Sequence, residues 1–257
     1  MTDDDIRLVA RLADLAGETI RPFFRSRFEM EAKADASPVT QADRAAEAAI
    51  RAVLGRERPT DGIIGEEYGN ERVDAARLWV IDPIDGTRSF IAGRPIFGTL
   101  IALIEEGRPV LGLIDQPIIG DRWLGVAGRP TLFNGAAART RACGSLARAH
   151  LATTGPAYFS AAERVRFEGV SAAARDTLWG GDCYNYALLA SGHLDLVVEA
   201  GLKLHDFAAL VPVVEGAGGK MCDWEGRPLT GASDGRVVAV GDAAILDEVL
   251  ERLDRMP

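Results

Sequence analysis

The sequence of 257 residues has little cysteine and little histidine, with three residues of each. The cysteines are widely spaced and odd in number, and no CxxC pair occurs, so we expect neither a disulfide framework nor a zinc site. The histidines, His150, His193 and His205, match no metal-ligand spacing and are interpreted as structural. Reduced thiols of this kind are typical of cytoplasmic proteins, and we expect that location.

The chain also lacks an excess of basic residues and a long apolar run. Its net charge of −9 argues against a nucleic-acid-binding surface. The first residues, MTDDDIRLVA, are acidic where a signal peptide would be basic, and no run reaches the length of a membrane span. We therefore expect small-molecule partners, with neither nucleic acid nor membrane. Anionic substrates stay allowed because a bound metal ion inverts the local charge.

Hydrophobic spacing predicts two helices followed by a group of strands. Apolar residues recur at helical spacing over residues 6–20, and TQAD at 40–43 reads as a capping box before the second helix. Short apolar runs punctuated by Gly and Pro begin at Gly62 and predict strands, of which the last three form an antiparallel meander. The polar segment from Lys33 to Thr40 resembles a lid.

After about Thr140 the pattern becomes an alternation of strands and helices, with HDFAALVPVVEGAG expected as one helix. Two helices, an antiparallel sheet and then alternating elements favour a layered α/β sandwich. We expect an N-terminal α+β subdomain at 1–140 and a C-terminal α/β subdomain at 141–257.

Clustered carboxylates follow two of the predicted strands. Glu66 and Glu67 end the GIIG strand, and Asp82 and Asp85 end LWVID. If these strands are neighbours that finish at the same edge, mutual repulsion raises the pKa values and opposes folding unless cations neutralise the charge. Oxygen ligands in such numbers suit Mg²⁺ or Mn²⁺ rather than zinc or copper. The alternative is that each is an ordinary turn or capping residue at the surface.

The backbone of DPIDGT also suits a ligand site. Pro83 fixes φ and withholds an N–H, which helps to turn the Ile84 carbonyl toward the carboxylates. Gly86 allows close approach of the backbone, and Thr87 offers a hydroxyl and an N–H. A helix beginning near Thr87 would present free N–H groups to an anion.

These motifs resemble the inositol monophosphatase superfamily of metal-dependent, lithium-sensitive phosphatases. Its two usual signatures are WVIDPIDGTRSF and LHDFAALVPVVEGAGG in this chain, and GEE and VTQAD also match, so the resemblance spans nearly the whole sequence. It implies a five-layer αβαβα sandwich, usually in a homodimer, and hydrolysis of a phosphate monoester.

The resemblance also implies a set of metal ligands. These are Glu66, Asp82, the Ile84 carbonyl, Asp85 and Asp206. They would hold two or three Mg²⁺ ions, with Mn²⁺ as an alternative and Li⁺ as an inhibitor. Glu67 would support Glu66, and Asp43 with Thr87 would help to hold the attacking water. Judged from the residues alone, Asp206 and Asp43 are equally well explained as helix-capping residues.

Three positions depart from typical inositol-cleaving members. Arg88 follows DGT where those proteins tend to have Asn, Asp182 stands where small or hydroxyl residues are usual, and Lys203 replaces a usual His. The departures resemble the histidinol-phosphate phosphatase branch, which reads similarly at DPIDGTRSFIAGRPIFGTLIAL and GGDCYNYALLASGHLDLVVEAG. The expected reaction is hydrolysis of histidinol phosphate in histidine biosynthesis.

The resemblance places six residues against the substrate. They are Gly86, Thr87, Arg88, Asp182, Asn185 and Glu199. Asp182 and Glu199 would accept charge-assisted hydrogen bonds from the amine and the imidazole N–H of histidinol phosphate. Asn185 would pair with the remaining ring nitrogen or orient Asp182, and Arg88 would contact the phosphate or a neighbouring carboxylate.

Three alternatives stay open at this level. Asp182 could instead cap the helix that follows it, and the substrate could be inositol phosphate or a broader sugar or nucleotide phosphate. A non-catalytic regulatory role is a further alternative. The complete set of implied metal ligands argues against that role.

Overall fold

The computed structural model describes residues 1–26, 30–32 and 38–254; residues 30–32 and 38–40 are described by their backbone alone. The first helix, α1 (Asp3–Ile20), begins with a capping box in which the Thr2 hydroxyl accepts from the Asp5 N–H and the Asp5 carboxylate accepts from the Thr2 N–H. It ends before Pro22, where the chain continues as a 3₁₀ turn.

The N-terminal half contains the remaining elements of a helical layer and one large sheet. In chain order these are β1 (Met30–Ala32), β2 (Pro38–Thr40), α2 (Gln41–Glu57), β3 (Gly62–Gly65), β4 (Gly69–Glu71), β5 (Arg77–Asp85), α3 (Thr87–Ile91), β6 (Gly98–Glu105), β7 (Arg108–Gln116), β8 (Asp121–Val126), β9 (Leu132–Phe133) and β10 (Ala136–Ala137). The second predicted helix is confirmed as α2. The capping box at its start includes the Thr40 side chain, which lies outside the residues described at side-chain level. The same holds for the lid-like segment from Lys33 to Thr40.

The C-terminal half alternates strands and helices as predicted. Its elements are β11 (His150–Thr153), α4 (Ala161–Ser171), β12 (Asp176–Trp179), α5 (Asp182–Ala190), β13 (Leu196–Glu199), α6 (Leu204–Phe207), α7 (Leu210–Gly216), β14 (Lys220–Cys222), β15 (Val237–Val240) and α8 (Leu246–Asp254). The single helix expected over HDFAALVPVVEGAG is wrong in detail, because the chain forms α6 and α7 as separate helices. Pro212 is tolerated because it stands in the first turn of α7, where its missing N–H costs little.

The first sheet has eight strands in the order β10-β9-β8-β7-β6-β5-β3-β4. Strands β6, β7 and β8 form the predicted antiparallel meander. Strands β3 and β5 are parallel neighbours, with Gly65 opposite Ile81, so both end at the same edge. The second sheet has the order β12-β11-β13-β15-β14.

Three apolar cores fill the spaces between five layers, and one of them spans both sides of the central helical layer. On β5, Trp79 and Ile81 pack into the core shared with α1 and α2, whereas Val80 faces the core shared with α5, α7 and the second sheet. A third core joins the outer face of the second sheet to α4 and α8, through side chains such as Phe167 and Val249. Because successive strand residues face opposite sides, one apolar strand serves two layers. The predicted αβαβα sandwich is confirmed.

Helix α7 lies unusually close to the first sheet. A Cβ at Gly112 or Gly125 would overlap backbone atoms of Ala209 or Pro212, so glycine is required at both strand positions. We propose the division into subdomains 1–140 and 141–257, since the first sheet ends at Ala137 and the second begins at His150. Among the described residues, no helix is long and apolar enough to cross a membrane.

Candidate active site

The parallel pairing of β3 and β5 brings their acidic ends together. The Glu66 N–H donates to the Ile81 carbonyl, which continues the pairing to the first acidic residue after β3. Beyond it, Asp82 is only 2% exposed and accepts a 3.1 Å hydrogen bond from the Ile84 N–H. Strand β5 is irregular opposite β6 between Asp82 and Asp85, so its last residues leave the regular ladder. Both acidic motifs therefore meet at one sheet edge.

The Ile84 carbonyl is held beside these carboxylates. The Thr87 hydroxyl donates to it at 3.1 Å, and the preceding carbonyl, of Pro83, accepts from the Thr99 hydroxyl at 2.7 Å. Gly86 precedes α3 with φ of 87°, a left-handed conformation that favours glycine. The helix expected near Thr87 is confirmed as the short α3.

Asp206 approaches the same point from α6. Its carboxylate accepts a 2.6 Å hydrogen bond from the Lys203 N–H, so it closes the first turn as the third helical residue and is not the N-cap itself. Ligand atoms of Asp82, Asp85 and Asp206 lie within 4.8 Å of one another. The same holds for one atom each of Glu66, Asp82 and His205. These groups offer several donors to a metal ion.

The crowded carboxylates alter one another's protonation. Burial, together with the charges of Glu66, Asp85 and Asp206, raises the pKa of Asp82 well above its usual value. Burial and the charges of Asp182 and Asp206 do the same to the pKa of Asp85. Burial also raises the pKa of Asp206. A cluster of this kind favours either bound protons or bound cations.

Beside the cluster lies a cavity of about 420 Å³. Its acidic end is lined by Glu66, Asp82, Ile84, Asp85 and Asp206, and the start of α3 contributes Gly86, Thr87 and Arg88. The opposite wall belongs to the C-terminal half and includes Thr154, Tyr158, Asp182, Tyr186 and Glu199. The structure thus brings together all five predicted metal ligands and five of the six predicted substrate-facing residues.

Asp182 lines the cavity at the start of α5 and contacts α3 of the N-terminal half. It is the first residue of α5, with Gly181 in the N-cap position, and its φ of 45° is unusual for a residue other than glycine. The Ser89 hydroxyl donates to its Oδ2 at 3.0 Å. Burial raises the pKa of Asp182, although Ser89 and the guanidinium groups of Arg94 and Arg88 oppose that rise. The capping alternative is not realised.

Glu199 is a second carboxylate on the same wall and is buried, with 4% of its surface exposed. Its Oε1 accepts from the Thr154 N–H at 2.8 Å and from the Thr154 hydroxyl at 2.5 Å, and its Oε2 accepts from the Tyr186 hydroxyl at 3.3 Å. Burial outweighs these hydrogen bonds and raises the pKa of Glu199 to about 7. The group therefore changes charge near neutral pH.

Asn185 does not line the cavity. It is 5% exposed, and its amide nitrogen donates to the Gly180 carbonyl at 3.0 Å. This contact lies in the Gly180–Gly181 turn that leads into Asp182, so the geometry is compatible with the second of the two roles expected for Asn185, orientation of Asp182. Direct contact with a substrate would require the side chain to leave this position.

Asp43 and Glu67 also lie behind the cavity wall. Asp43 is 1% exposed in the first turn of α2, and its charge contributes to the raised pKa of Asp82. The main-chain N–H of Glu67 donates to Glu47 at 2.7 Å. The two residues are therefore near the cluster without lining the cavity.

Several cavity residues are absent from the sequence-based prediction. Tyr158 has its ring 5.5 Å from the Arg88 guanidinium carbon, and Thr154 and Tyr186 hold Glu199. His205, interpreted as structural, lines the cavity and has its Nε2 3.4 Å from Oδ1 of Asp206. The position of His205 directly before Asp206 could have indicated its place in the site. No sequence pattern indicates Tyr158 or Thr154, because they reach the site through long-range contacts.

The cavity thus combines acidic groups that could hold a metal ion with further polar side chains on its wall. Comparison with known proteins identifies the class of protein to which this site belongs. The model of the Inositol monophosphatase family matches residues 3–255. The chain belongs to this family and is a phosphatase of it.

Similar proteins are named for more than one substrate. The bifunctional phosphatase IMPL2 (chloroplastic) of Arabidopsis thaliana is 48% identical over 252 residues, which cover 95% of this chain and 73% of that protein. The histidinol-phosphatase of Mycobacterium tuberculosis is 37% identical over 265 residues, 99% of each chain. Among solved structures, an inositol monophosphatase from Zymomonas mobilis is 58% identical, with a TM-score of 0.92 and 98% of each chain covered.

Proposed function

We propose that this phosphatase hydrolyses histidinol phosphate with the help of Mg²⁺. The observation that carries the proposal is the pair of carboxylates, the half-buried Asp182 and the buried Glu199, on the cavity wall beside the acidic cluster. The leaving group of histidinol phosphate has a cationic amine and an imidazole, and both offer N–H donors to carboxylates. An inositol leaving group is a neutral polyol and gains less from two charged acceptors.

The residues of the acidic cluster fit a hard divalent ion. Glu66, Asp82, the Ile84 carbonyl, Asp85 and Asp206 provide oxygen donors only. Burial, together with neighbouring carboxylates, raises the pKa values of Asp82 and Asp85, and bound cations would offset this cost of holding negative charge there. Bound Mg²⁺ ions, two or three in number, would polarise the phosphate and lower the pKa of a water molecule. Mn²⁺ is an alternative ion, and Li⁺ is the expected inhibitor.

The chain's own groups would then orient the reactants. The Thr87 hydroxyl donates a hydrogen bond to the Ile84 carbonyl. The oxygen of Thr87 can therefore accept a hydrogen bond from the attacking water. Gly86 and Arg88 would face the phosphate from the start of α3. In the hydrolysis, the water oxygen bonds to phosphorus, the bond from phosphorus to the histidinol oxygen breaks, and that oxygen takes a proton.

Arg88 has a further role in this arrangement. Its guanidinium lies over the Tyr158 ring at 5.5 Å, and its charge opposes the raised pKa of Asp182. The residue thus connects the start of α3 with the C-terminal wall of the cavity. We propose that it keeps Asp182 ionised for the amine while it contributes positive charge near the phosphate.

Inositol phosphate is the second candidate substrate. It is favoured by the 58% identity to the Zymomonas mobilis inositol monophosphatase and by Glu199, whose carboxylate can also accept hydrogen bonds from hydroxyl groups. Histidine biosynthesis, a cytoplasmic location and a homodimer remain predictions. Sedimentation at several protein concentrations tests the last of them.

The test is a phosphate-release assay on histidinol phosphate, inositol 1-phosphate and adenosine 3′,5′-bisphosphate, with Mg²⁺ and with a chelator. We expect turnover of histidinol phosphate above the others, and loss of all turnover with chelator. A preference for inositol 1-phosphate would contradict the proposed substrate. Turnover that persists in chelator would contradict the proposed cofactor.

A further inference from the structure

A buried carboxylate outside the cavity contacts the loop that carries Glu66. Residues 66–68 form the three-residue connection of the hairpin made by β3 and β4. Glu47, fully buried on α2, accepts from the Glu67 N–H at 2.7 Å through Oε2 and from the Tyr68 N–H at 3.2 Å through Oε1. Two backbone donors of the loop are therefore satisfied by one side chain from a different element.

Arg51, one turn later on α2, completes the arrangement. Its Nε donates to Oε1 of Glu47 at 2.7 Å, and its guanidinium also reaches the Gly69 carbonyl and, at 2.8 Å, the carboxylate of Glu71. The pair thus contacts the hairpin at successive points from Glu67, next to Glu66, to Glu71 on β4. Because the positive charge of Arg51 lies beside Glu47, this extra carboxylate adds little to the negative field of the acidic cluster.

The close approach of α2 to the loop depends on the residue before Glu66. A Cβ at Gly65 would overlap Glu47 Oε1 and lie 2.6 Å from Arg51 Nη2. Glycine at this position lets the helix reach the backbone of the loop directly. The contact is consequently a fixed feature of the packing between α2 and β3.

We propose that Glu47, supported by Arg51, is a positioning residue that holds Glu66 in place for metal binding. The inference rests on the proposed function, in which Glu66 is a metal ligand. Glu47 is not itself such a ligand, because both of its oxygens are engaged by the loop and by Arg51 and it does not line the cavity. It acts through the backbone, as supporting groups around metal ligands commonly do.

Glu47→Gln tests the proposal because it keeps the side-chain shape but places an NH₂ group against a backbone donor or Arg51. We expect Mn²⁺ binding, followed by electron paramagnetic resonance without substrate, to weaken about 10- to 100-fold. Asp5→Asn is the matched control: it disrupts a buried carboxylate paired with Arg58 and Arg77 at the opposite end of β5. It should lower the melting temperature and leave Mn²⁺ binding within about twofold of the wild type.

The proposal is overturned if Glu47→Gln melts at a lower temperature, as Asp5→Asn does, but binds Mn²⁺ as the wild type does, since Glu47 would then be purely structural. Should Glu47→Gln fail to fold, Arg51→Met carries the same expectation and the same contrary outcome. Glu66→Gln tests whether Glu66 itself is a metal ligand. If that variant binds Mn²⁺ normally, Glu66 is no ligand, and both its assignment to the proposed metal site and the role of Glu47 are wrong.

Discussion

The Ser89 hydroxyl donates a 3.0 Å hydrogen bond to Oδ2 of Asp182, which links α3 of the N-terminal half to the first residue of α5. The next residue, Cys183, donates its N–H to Oδ2 of Asp85 at 2.6 Å. Residues 182–183 of the C-terminal half thus contact both α3 and the Asp85 carboxylate of the acidic cluster. These two hydrogen bonds therefore hold a residue proposed for substrate recognition next to one proposed for metal binding.

Replacement of Asp182 should affect substrates unequally. Asp182→Asn removes the charge that would pair with the amine of histidinol phosphate, a hydrogen bond worth about 1.5–3 kcal/mol. We expect kcat/KM for histidinol phosphate to fall about 10- to 100-fold, while p-nitrophenyl phosphate, which has no amine, is hydrolysed nearly as before. Ser89→Ala, which removes only the supporting hydroxyl, should give a smaller loss of the same kind. Equal losses on both substrates would show that Asp182 is structural.

The ionisation of Glu199 should appear in the pH dependence. With a pKa of about 7, Glu199 is mostly protonated at pH 6 and mostly a carboxylate at pH 8. Only the carboxylate makes a charge-assisted hydrogen bond with an N–H of the leaving group. We therefore expect kcat/KM for histidinol phosphate to rise with pH through about 7. The substrate also titrates, so the informative quantity is the ratio of wild type to Glu199→Gln; a ratio independent of pH would contradict this role.

Gly86→Ala should damage the site severely. Gly86 has φ of 87°, where alanine is strained, and an added Cβ would lie 2.7 Å from Oδ2 of Asp182. We expect a loss of about 1 kcal/mol or more in the free energy of unfolding from the backbone conformation, and a larger relative loss of activity because Asp182 must move. Gly107→Ala is the control, since Gly107 also has positive φ but lies in the turn between β6 and β7, with nothing within 4 Å of an added Cβ. Similar activity losses in both variants would contradict the explanation.

Metal-free protein should lose stability as the pH rises. The pKa values of Asp82 and Asp85 are raised in the folded state, so this part of the stability is fully present below the unfolded value of about 4 and is lost as the pH rises through the folded values. Each raised pKa unit corresponds to about 1.4 kcal/mol. We expect the melting temperature in chelator to be higher at pH 6 than at pH 8, with a much smaller difference in saturating Mg²⁺.

A variant checks the source of this pH effect. Asp82→Asn removes one charge of the cluster, so in chelator at pH 8 it should melt at a higher temperature than the wild type while it abolishes activity. Identical pH slopes with and without Mg²⁺, or a destabilised Asp82→Asn protein, would contradict the assigned cost of burying and crowding these charges. The pKa of Glu199 is also raised, so Glu199 also lowers the stability as the pH rises. This contribution is common to the wild type and Asp82→Asn.

The layered fold and the acidic edge could be predicted because they depend on local pattern. Apolar strands predicted β3 and β5, and their parallel pairing placed Glu66 beside Asp82 as expected. Helix α4 is not evident from hydrophobic spacing, since only Phe167 and Val170 of its residues are buried, although Ser160 begins it with a capping box. The break between α6 and α7 lies where the Ala209 backbone approaches Gly112 of the first sheet, and hydrophobic spacing does not report such packing.

The supporting contacts of the site could not be predicted for the same reason. Glu47 meets its loop 20 residues away, and Thr154 meets Glu199 across 45 residues. Such pairs depend on which strands and helices become neighbours. Asn185 is a further example: its place in GGDCYNY predicted a contact with the substrate or with Asp182, and the fold turns its amide toward the Gly180 carbonyl, two residues before Asp182.

The central claim is that Asp182 and Glu199 select a cationic leaving group. A competition assay tests it most directly: histidinol phosphate and inositol 1-phosphate are mixed at equal concentration with Mg²⁺, and ³¹P NMR follows each ester. The ratio of the two rate constants equals the ratio of kcat/KM, and a preference of about 1.4 kcal/mol corresponds to a factor of 10. We predict at least about tenfold faster loss of histidinol phosphate. Equal or faster loss of inositol 1-phosphate would contradict the account.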